Sequence, residues 1–199
     1  MKIVLATNNE GKVKEILAFL DGLNIELISQ AQFNVPPIAE TGLSFVENAL
    51  MKARHAAQYS QLPALADDSG LVVDALQGAP GIFSARFAGP TATSVDNIHK
   101  LLSQMQNIEK SQRTAHFYCA LVFVRHAKDP APIICQAKWD GEILSEQQGN
   151  QGFGYDPIFY VPTHHCSAAE LTLAQKNTLS HRAKALAQFK EQFQHEYIR

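Results

Sequence analysis

Four stretches of this 199-residue chain combine residue types that do chemistry. Thr7-Asn8-Asn9-Glu10-Gly11-Lys12 leads from an apolar run into a helical pattern. A loop entering a helix N-terminus offers unsatisfied N–H groups and the positive end of the helix dipole, which suits phosphate. Lys12 would add a point charge, although the spacing is not that of a P-loop and also reads as an ordinary Asn cap. Asp67-Asp68-Ser69-Gly70 sets two carboxylates side by side after apolar Leu65-Ala66. Hard oxygen ligands suit Mg²⁺, and on extended backbone adjacent side chains point to opposite faces, so the two acids should do different things. An Asx-type turn closed by Ser-Gly is the other reading. Glu40 and Glu47 are further carboxylates, and Lys52 shares a helix with Glu47.

The third stretch, Gly152-Phe153-Gly154-Tyr155-Asp156-Pro157, alternates glycines with aromatics. That pattern lets a ligand approach the backbone closely while a ring offers a stacking face, or else places a bulge over core aromatics. The fourth is Lys176 followed by Ser180-His181-Arg182. Arginine presents a fixed fork of donors able to read a carbonyl or phosphate, although an HR pair at a helix start is commonly solvated.

The elements that must position these residues follow from periodicity. Lys2–Ala6 reads as a buried strand, Val13, Ile16, Leu17 and Leu20 as one helical face, and Ile25–Ile28 as a second strand. Ser44 and Glu47 have capping-box spacing ahead of an Ala-rich helix from Phe45 to about Tyr59. Leu62–Ala66 is a short apolar strand that should end at Asp67-Asp68-Ser69-Gly70, the apolar pattern resuming as Leu71-Val72-Val73. Ile98, Leu101, Leu102 and Met105 mark another helix. Residues 114–125 and 132–139 read as a hairpin, with Asp140-Gly141 turning the chain. Ser167 and Glu170 predict a helix start, and Ser180 a cap for a last helix with Leu186, Phe189 and Phe193 on its inner face. The expected fold is α/β with a mixed sheet, in one domain over residues 1–199 or as two closely fused lobes.

Composition narrows the partners. With 17 Lys+Arg against 19 Asp+Glu the formal charge is −2, and 46% of residues are hydrophobic. A basic excess for gripping nucleic acid is missing, but a small anion held by a few cations is compatible. No apolar run approaches the roughly 18–20 residues that cross a bilayer. Cys119, Cys135 and Cys166 show no CxxC spacing, which fits a reducing cytoplasm, and Cys119 and Cys135 in apolar runs read as buried thiols.

Taken in order, the stretches resemble the pyrophosphatases of non-standard purine nucleoside triphosphates, the family of inosine triphosphate pyrophosphatase. The matching features are the TNNxGK loop, ETGLSFVENAxxKA at 40–53, ADDSGLxVDAL at 66–76, GAPGIFSARFAG at 78–89, GFGYDPIF at 152–159, AEL at 169–171 and KNxLSHRxxAL at 176–186. The resemblance implies a long mixed sheet flanked by helices, with a nucleotide cleft between two lobes. It also implies a homodimer and Mg²⁺-dependent hydrolysis of ITP, dITP or XTP to the monophosphate and pyrophosphate. Thr7, Asn8, Asn9, Glu10, Gly11 and Lys12 would cradle the triphosphate, with Lys12 and Lys52 offsetting its charge. Asp68 would activate water and, with Glu40, hold the metal; Asp67 is a weaker ligand. Ser69 would touch the substrate, and Phe153, Gly154, Tyr155 and Asp156 would form the wall for the base. Lys176, His181 and Arg182 would close the base end, Arg182 aimed at the 6-oxo group. Asn8 and Gln151 stand where the family often has glycine. A Maf-type pyrophosphatase, or a nucleotide-binding module without turnover, are the alternatives.

Overall fold

The computed structural model describes residues 1–197. The chain runs β1 (Lys2–Leu5), α1 (Glu10–Leu20), β2 (Glu26–Ser29), α2 (Phe45–Ser60), β3 (Ala64–Val73), α3 (Ser94–Gln104), β4 (Thr114–Val124), β5 (Ile133–Ile143), β6 (Phe159–Val161), β7 (Cys166–Ser167), α4 (Leu173–Leu179) and α5 (His181–Tyr197). The strands form one seven-stranded sheet in the order β2-β1-β3-β4-β5-β6-β7. It is mixed: β1 is parallel to β2 and β3, while β6 is antiparallel to β5 and β7. Residues group into two compact units, the first built from 1–68, 119–137 and 182–197 and the second from 69–118 and 138–181.

In the first unit, Ile3, Leu5, Ile16, Leu20, Leu65, Leu121, Phe123, Leu186, Phe189 and Phe193 share one apolar core. Phe123 meets Phe189 at 5.8 Å between ring centroids and Phe193 at 5.5 Å, the latter edge-on. The expected inner face of α5 is therefore the one that packs. On α1 the pattern is shifted. Leu17 is 45% exposed, and the buried positions are Glu15, Ile16 and Leu20. A charged residue inside a helix face is invisible to a hydrophobicity pattern, and Glu15 has partners described below.

In the second unit, Leu71, Val73, Ile98, Leu101, Met105, Phe117, Trp139, Ile158 and Phe159 form the core. Helix α3 opens with a complete capping box between Thr93 and Asp96. The chain does not turn at Asp140-Gly141. Instead β5 continues to Ile143, its odd-numbered residues buried from Ile133 to Ile143. Gly141 serves packing: a Cβ there would lie 2.4 Å from the Tyr160 carbonyl oxygen and 2.6 Å from the Phe159 ring. Ser167 starts no helix either. It lies in β7, where its N–H donates to Glu170 Oε2 at 2.8 Å, and the capping box belongs to Thr172 and Gln175 ahead of α4. Two Ser/Thr-x-x-Glu/Gln spacings stand close together, and strand pairing takes the first.

Cys119 and Cys135 are buried, and burial pushes their thiols up to about 12 and about 11, so neither is a thiolate at neutral pH. No helix among the described residues is long and apolar enough to cross a membrane.

The link between β4 and β5 is organised by Asp129, which is 1% exposed. Its carboxylate accepts from the Arg125 backbone N–H and Nε, both at 2.9 Å, from Arg125 Nη2, and from Ala131 N–H at 3.0 Å. The bond from the Arg125 side chain, with the charge and backbone bonds behind it, outweighs burial and holds the acid well below the usual carboxylate range. A depressed pKa contributes stability above the ordinary carboxylate value and loses it as pH falls. Asp129→Asn should therefore lower Tm by about 4–8 °C at pH 7, a gap that narrows below about pH 4. Thermal unfolding followed by circular dichroism checks both; a gap that widens in acid would contradict the arrangement.

Candidate functional site

Strand β3 runs unbroken through Asp67 and Asp68, which therefore do not end a strand. The alternation of extended backbone then sends the two carboxylates in different directions. Each finds its own partners, all within the first unit.

Asp67 is fully buried. Lys12 Nζ lies 3.0 Å from Asp67 Oδ2, and Arg182 Nε and Nη2 each donate to the same oxygen at 3.3 Å. Arg182 Nη1 donates to Glu15 Oε2. Burial pushes the Asp67 carboxyl up, but Lys12, Arg182 and Lys52 together outweigh it and hold the acid well below the usual range. Burial likewise works against the charge on Arg182, and Asp67 and Glu15 reverse that. Lys12, Arg182, Asp67 and Glu15 thus form a balanced set of two cations and two anions. The sequence pattern did not point to Glu15. Its signal was a lone acid on a helix face otherwise turned inward.

Asp68 looks onto α2. Lys52 Nζ donates to Asp68 Oδ1 at 2.7 Å and lies 2.9 Å from Glu40 Oε1. Asn48 Nδ2 reaches Asp68 Oδ2 at 3.5 Å. Asn48 also accepts the Gly42 N–H through Oδ1 at 2.9 Å, which seats the loop carrying Glu40 against the helix. A Cβ at Gly42 would sit 2.7 Å from that oxygen and 2.6 Å from Glu47 Cβ, so only glycine allows the approach. Glu47 does not join the cluster: it accepts from Ser44 Oγ and Leu43 N–H as the helix cap. The Asp68 carboxyl is raised above its ordinary value because burial exceeds the help from Lys52 and Lys12, with Glu40 adding repulsion. Lys52 is raised as well: burial opposes its charge, but Asp68, Asp67 and Glu40 all favour it.

The loop before α1 is built as a helix entrance. Asn9 caps the helix by accepting the Lys12 N–H at 3.1 Å, Thr7 Oγ1 accepts the Asn9 N–H at 3.2 Å, and Gln30 Nε2 donates to Asn8 Oδ1 at 2.9 Å. Asn8, Asn9 and Glu10 are exposed, Gly11 and Thr7 half-buried.

The remaining candidates fall in the second unit, where Ser69 is half-buried. Lys176 Nζ lies 2.6 Å from Asp156 Oδ2 and 4.7 Å from the centroid of the Phe153 ring. The same Asp156 oxygen accepts the Phe153 N–H at 2.8 Å. Gly152, at φ +77°, makes this possible, since a Cβ there would stand 2.1 Å from that oxygen. The two aromatics divide their tasks: Phe153 is 38% exposed, while Tyr155 is 5% exposed and its hydroxyl donates to the Ser84 carbonyl at 2.8 Å. Gly154, at φ +62°, is the hinge that turns one ring out and the next in. His181 is buried, its ring stacked 5.0 Å from Phe117. Arg182, grouped by sequence with Lys176 and His181, belongs instead to the first unit and its guanidinium meets Glu15 and Asp67.

The chemistry of the donor set can be judged for a metal. Among the described residues no group of three or more His, Cys, Asp or Glu could hold an ion alone. Mg²⁺ seldom needs such a cage; it keeps waters and uses one or two carboxylates with substrate phosphates. Glu40 and Asp68 converge on one cationic point, the Lys52 ammonium, and the trio has one more negative charge than positive. That donor set fits a hard divalent cation.

Comparison with known proteins covers nearly the whole chain. The model of the Ham1 family matches residues 3–192. A protein of Vibrio parahaemolyticus named dITP/XTP pyrophosphatase is 56% identical over 185 residues, covering 93% of this chain and 92% of that one. One from Thioalkalivibrio sulfidiphilus, with the same name, is 53% identical over 194 residues, covering 98% and 99%. The solved structure of a HAM1 protein from Coxiella burnetii is 49% identical with a TM-score of 0.93, covering 98% of this chain and 99% of that one. With these matches along nearly its whole length, the chain belongs to the Ham1 family.

Proposed function

We propose that this protein hydrolyses the triphosphates of deaminated purines, ITP, dITP and XTP, to the monophosphate and pyrophosphate, and so clears such nucleotides before they enter nucleic acid. The observation that carries the reading is Asp68: a buried carboxylate with a raised pKa, hydrogen-bonded to Lys52 and backed by Glu40. A perturbed acid of this kind is suited to take a proton near neutral pH. Relatives named dITP/XTP pyrophosphatase, similar over more than nine-tenths of the chain, support the same reading. Mg²⁺ as the cofactor, a homodimer as the assembly and the cytoplasm as the location belong to this proposal.

In the proposed reaction, water attacks the α-phosphorus. A bond forms from the water oxygen, the bond to the oxygen bridging the α- and β-phosphorus breaks, and pyrophosphate leaves with that oxygen. Asp68 accepts the proton of the attacking water. Lys52 and Lys12 offset negative charge on the phosphates, and the N–H groups around Gly11 face the same anion. Glu40 and Asp68 would hold Mg²⁺, which would supply charge neutralisation at the phosphate oxygens. Arg182 and Glu15 keep Asp67 and, through it, the Lys12 ammonium in place. Phe153 is the stacking surface for the base, with the Lys176 ammonium over its ring and paired to Asp156, one donor and one acceptor beside the platform. A 6-oxo purine accepts from a donor there, whereas the 6-amino group of adenine would oppose it.

Two outcomes test this. With Mg²⁺ present, ITP, dITP and XTP should release pyrophosphate much faster than ATP, and chelation should stop the reaction. A panel of triphosphates assayed separately for pyrophosphate and orthophosphate decides; equal rates on ATP and ITP, or orthophosphate as the only product, would overturn it.

Asp68→Asn should lower kcat by about 10³-fold. Because the folded protein binds the Asp68 proton more tightly than the unfolded chain does, the ionised acid costs stability above its raised pKa. The neutral isostere removes that cost, so Tm at pH 7 should be unchanged or higher. A variant that loses activity together with several degrees of Tm would mean that Asp68 holds the fold rather than activates water.

A further inference from the structure

Resting on the assignment of Phe153 as the base platform, we propose that Ser84 is a positioning residue for base recognition, acting through Tyr155. Ser84 lies in the 3-10 turn Gly81–Arg86, far in sequence from the platform loop, and is 8% exposed. Its hydroxyl does two jobs: it accepts the Leu71 N–H at 2.9 Å and donates to the Gly81 carbonyl at 2.6 Å. Leu71 is fully buried in β3, three residues after Asp68. The bond ties the turn to the buried backbone of β3.

With the turn pinned in this way, the Ser84 carbonyl is held where the Tyr155 hydroxyl can reach it, at 2.8 Å. Tyr155 is buried in the apolar core of the second unit, so an unmade bond there would leave a hydroxyl and a carbonyl in a medium that offers no substitute. The bond therefore fixes the height and rotation of Tyr155. Only Gly154 separates that ring from Phe153, and Asp156, which accepts the Phe153 N–H at 2.8 Å, follows it directly. The order of influence is Leu71 and Gly81 onto Ser84, Ser84 onto Tyr155, and Tyr155 onto the Phe153–Asp156 loop with Lys176. Every member lies within the second unit. Ser84 itself touches neither water nor phosphate in the proposed chemistry. Its effect should fall on ligands that carry a base and spare those that do not.

The test compares Ser84→Ala, Tyr155→Phe, their double variant and the conservative Ser84→Thr. All are assayed at a temperature well below the lowest Tm of the set. For Ser84→Ala and Tyr155→Phe the KM for ITP and the Kd for inosine monophosphate, measured by calorimetry, should each rise about tenfold, with kcat changed less than about threefold. The inhibition constant of inorganic pyrophosphate, which has no base, should stay within a factor of about two of the parent. The double variant should be no worse than the poorer single one, as expected for one chain of contacts, and Ser84→Thr should restore base binding. Equal losses for inosine monophosphate and pyrophosphate would show a general structural role and overturn the proposal. So would unchanged inosine monophosphate affinity in both single variants. Failure of the parent protein to bind inosine monophosphate or turn over ITP would instead overturn the functional reading on which the proposal rests.

Discussion

The buried carboxylate of Asp67 is the constraint around which the first unit is arranged. A carboxylate taken out of water is tolerated only with compensating charge and hydrogen bonds, and this one has Lys12 and Arg182 on a single oxygen. Arg182 is itself almost wholly buried and needs a second anion, which Glu15 supplies from α1. Three elements distant in sequence, the start of α1, the middle of β3 and the start of α5, are thereby held at one point. An apolar cluster of similar volume would serve stability as well. What charges add is direction: the Lys12 ammonium is drawn to Asp67 on β3.

Next to Asp67 on the same strand, Asp68 has the opposite balance. Its neighbours do not fully offset burial, so its carboxyl is raised where Asp67 is lowered. Two adjacent residues of one type are separated in role by strand alternation and by which helix each meets. Asp67 meets cations from α1 and α5. Asp68 meets α2, whose Lys52 is shared with Glu40. The charge-balanced member supports the backbone from which the less compensated member projects.

Much of this was legible in the sequence, for identifiable reasons. The helix face of α5 showed because Leu186, Phe189 and Phe193 are apolar and recur at helical spacing, and α2 because Ser44 and Glu47 form a cap that needs no tertiary partner. The carboxylates and lysines of the site were visible as residue types. Their pairing was not, because the Arg182–Asp67 contact spans 115 residues and the Arg182–Glu15 contact 167. The two wrong strand ends share one cause. Asp-Asp-Ser-Gly and Asp-Gly are turn formers by local preference, yet here β3 and β5 run through them because tertiary partners satisfy the acids and Gly141 admits β6. Local preference failed where the fold has a use for the offending residue.

The same consideration bears on the aromatic loop. By composition Phe153 and Tyr155 are equivalent members of a stacking wall. By environment they are opposites, one ring half in solvent beneath an ammonium, the other sealed in the core with its hydroxyl committed to the Ser84 carbonyl. A platform that is exposed enough to meet a ligand cannot be fixed by its own burial, so its rigidity must come from a neighbour. The positive φ of Gly154 lets consecutive aromatics face opposite ways, and Gly152 lets the backbone close onto Asp156. Alternation of glycine and aromatic is thus less a sign of two stacking rings than of one ring presented and one ring anchoring it.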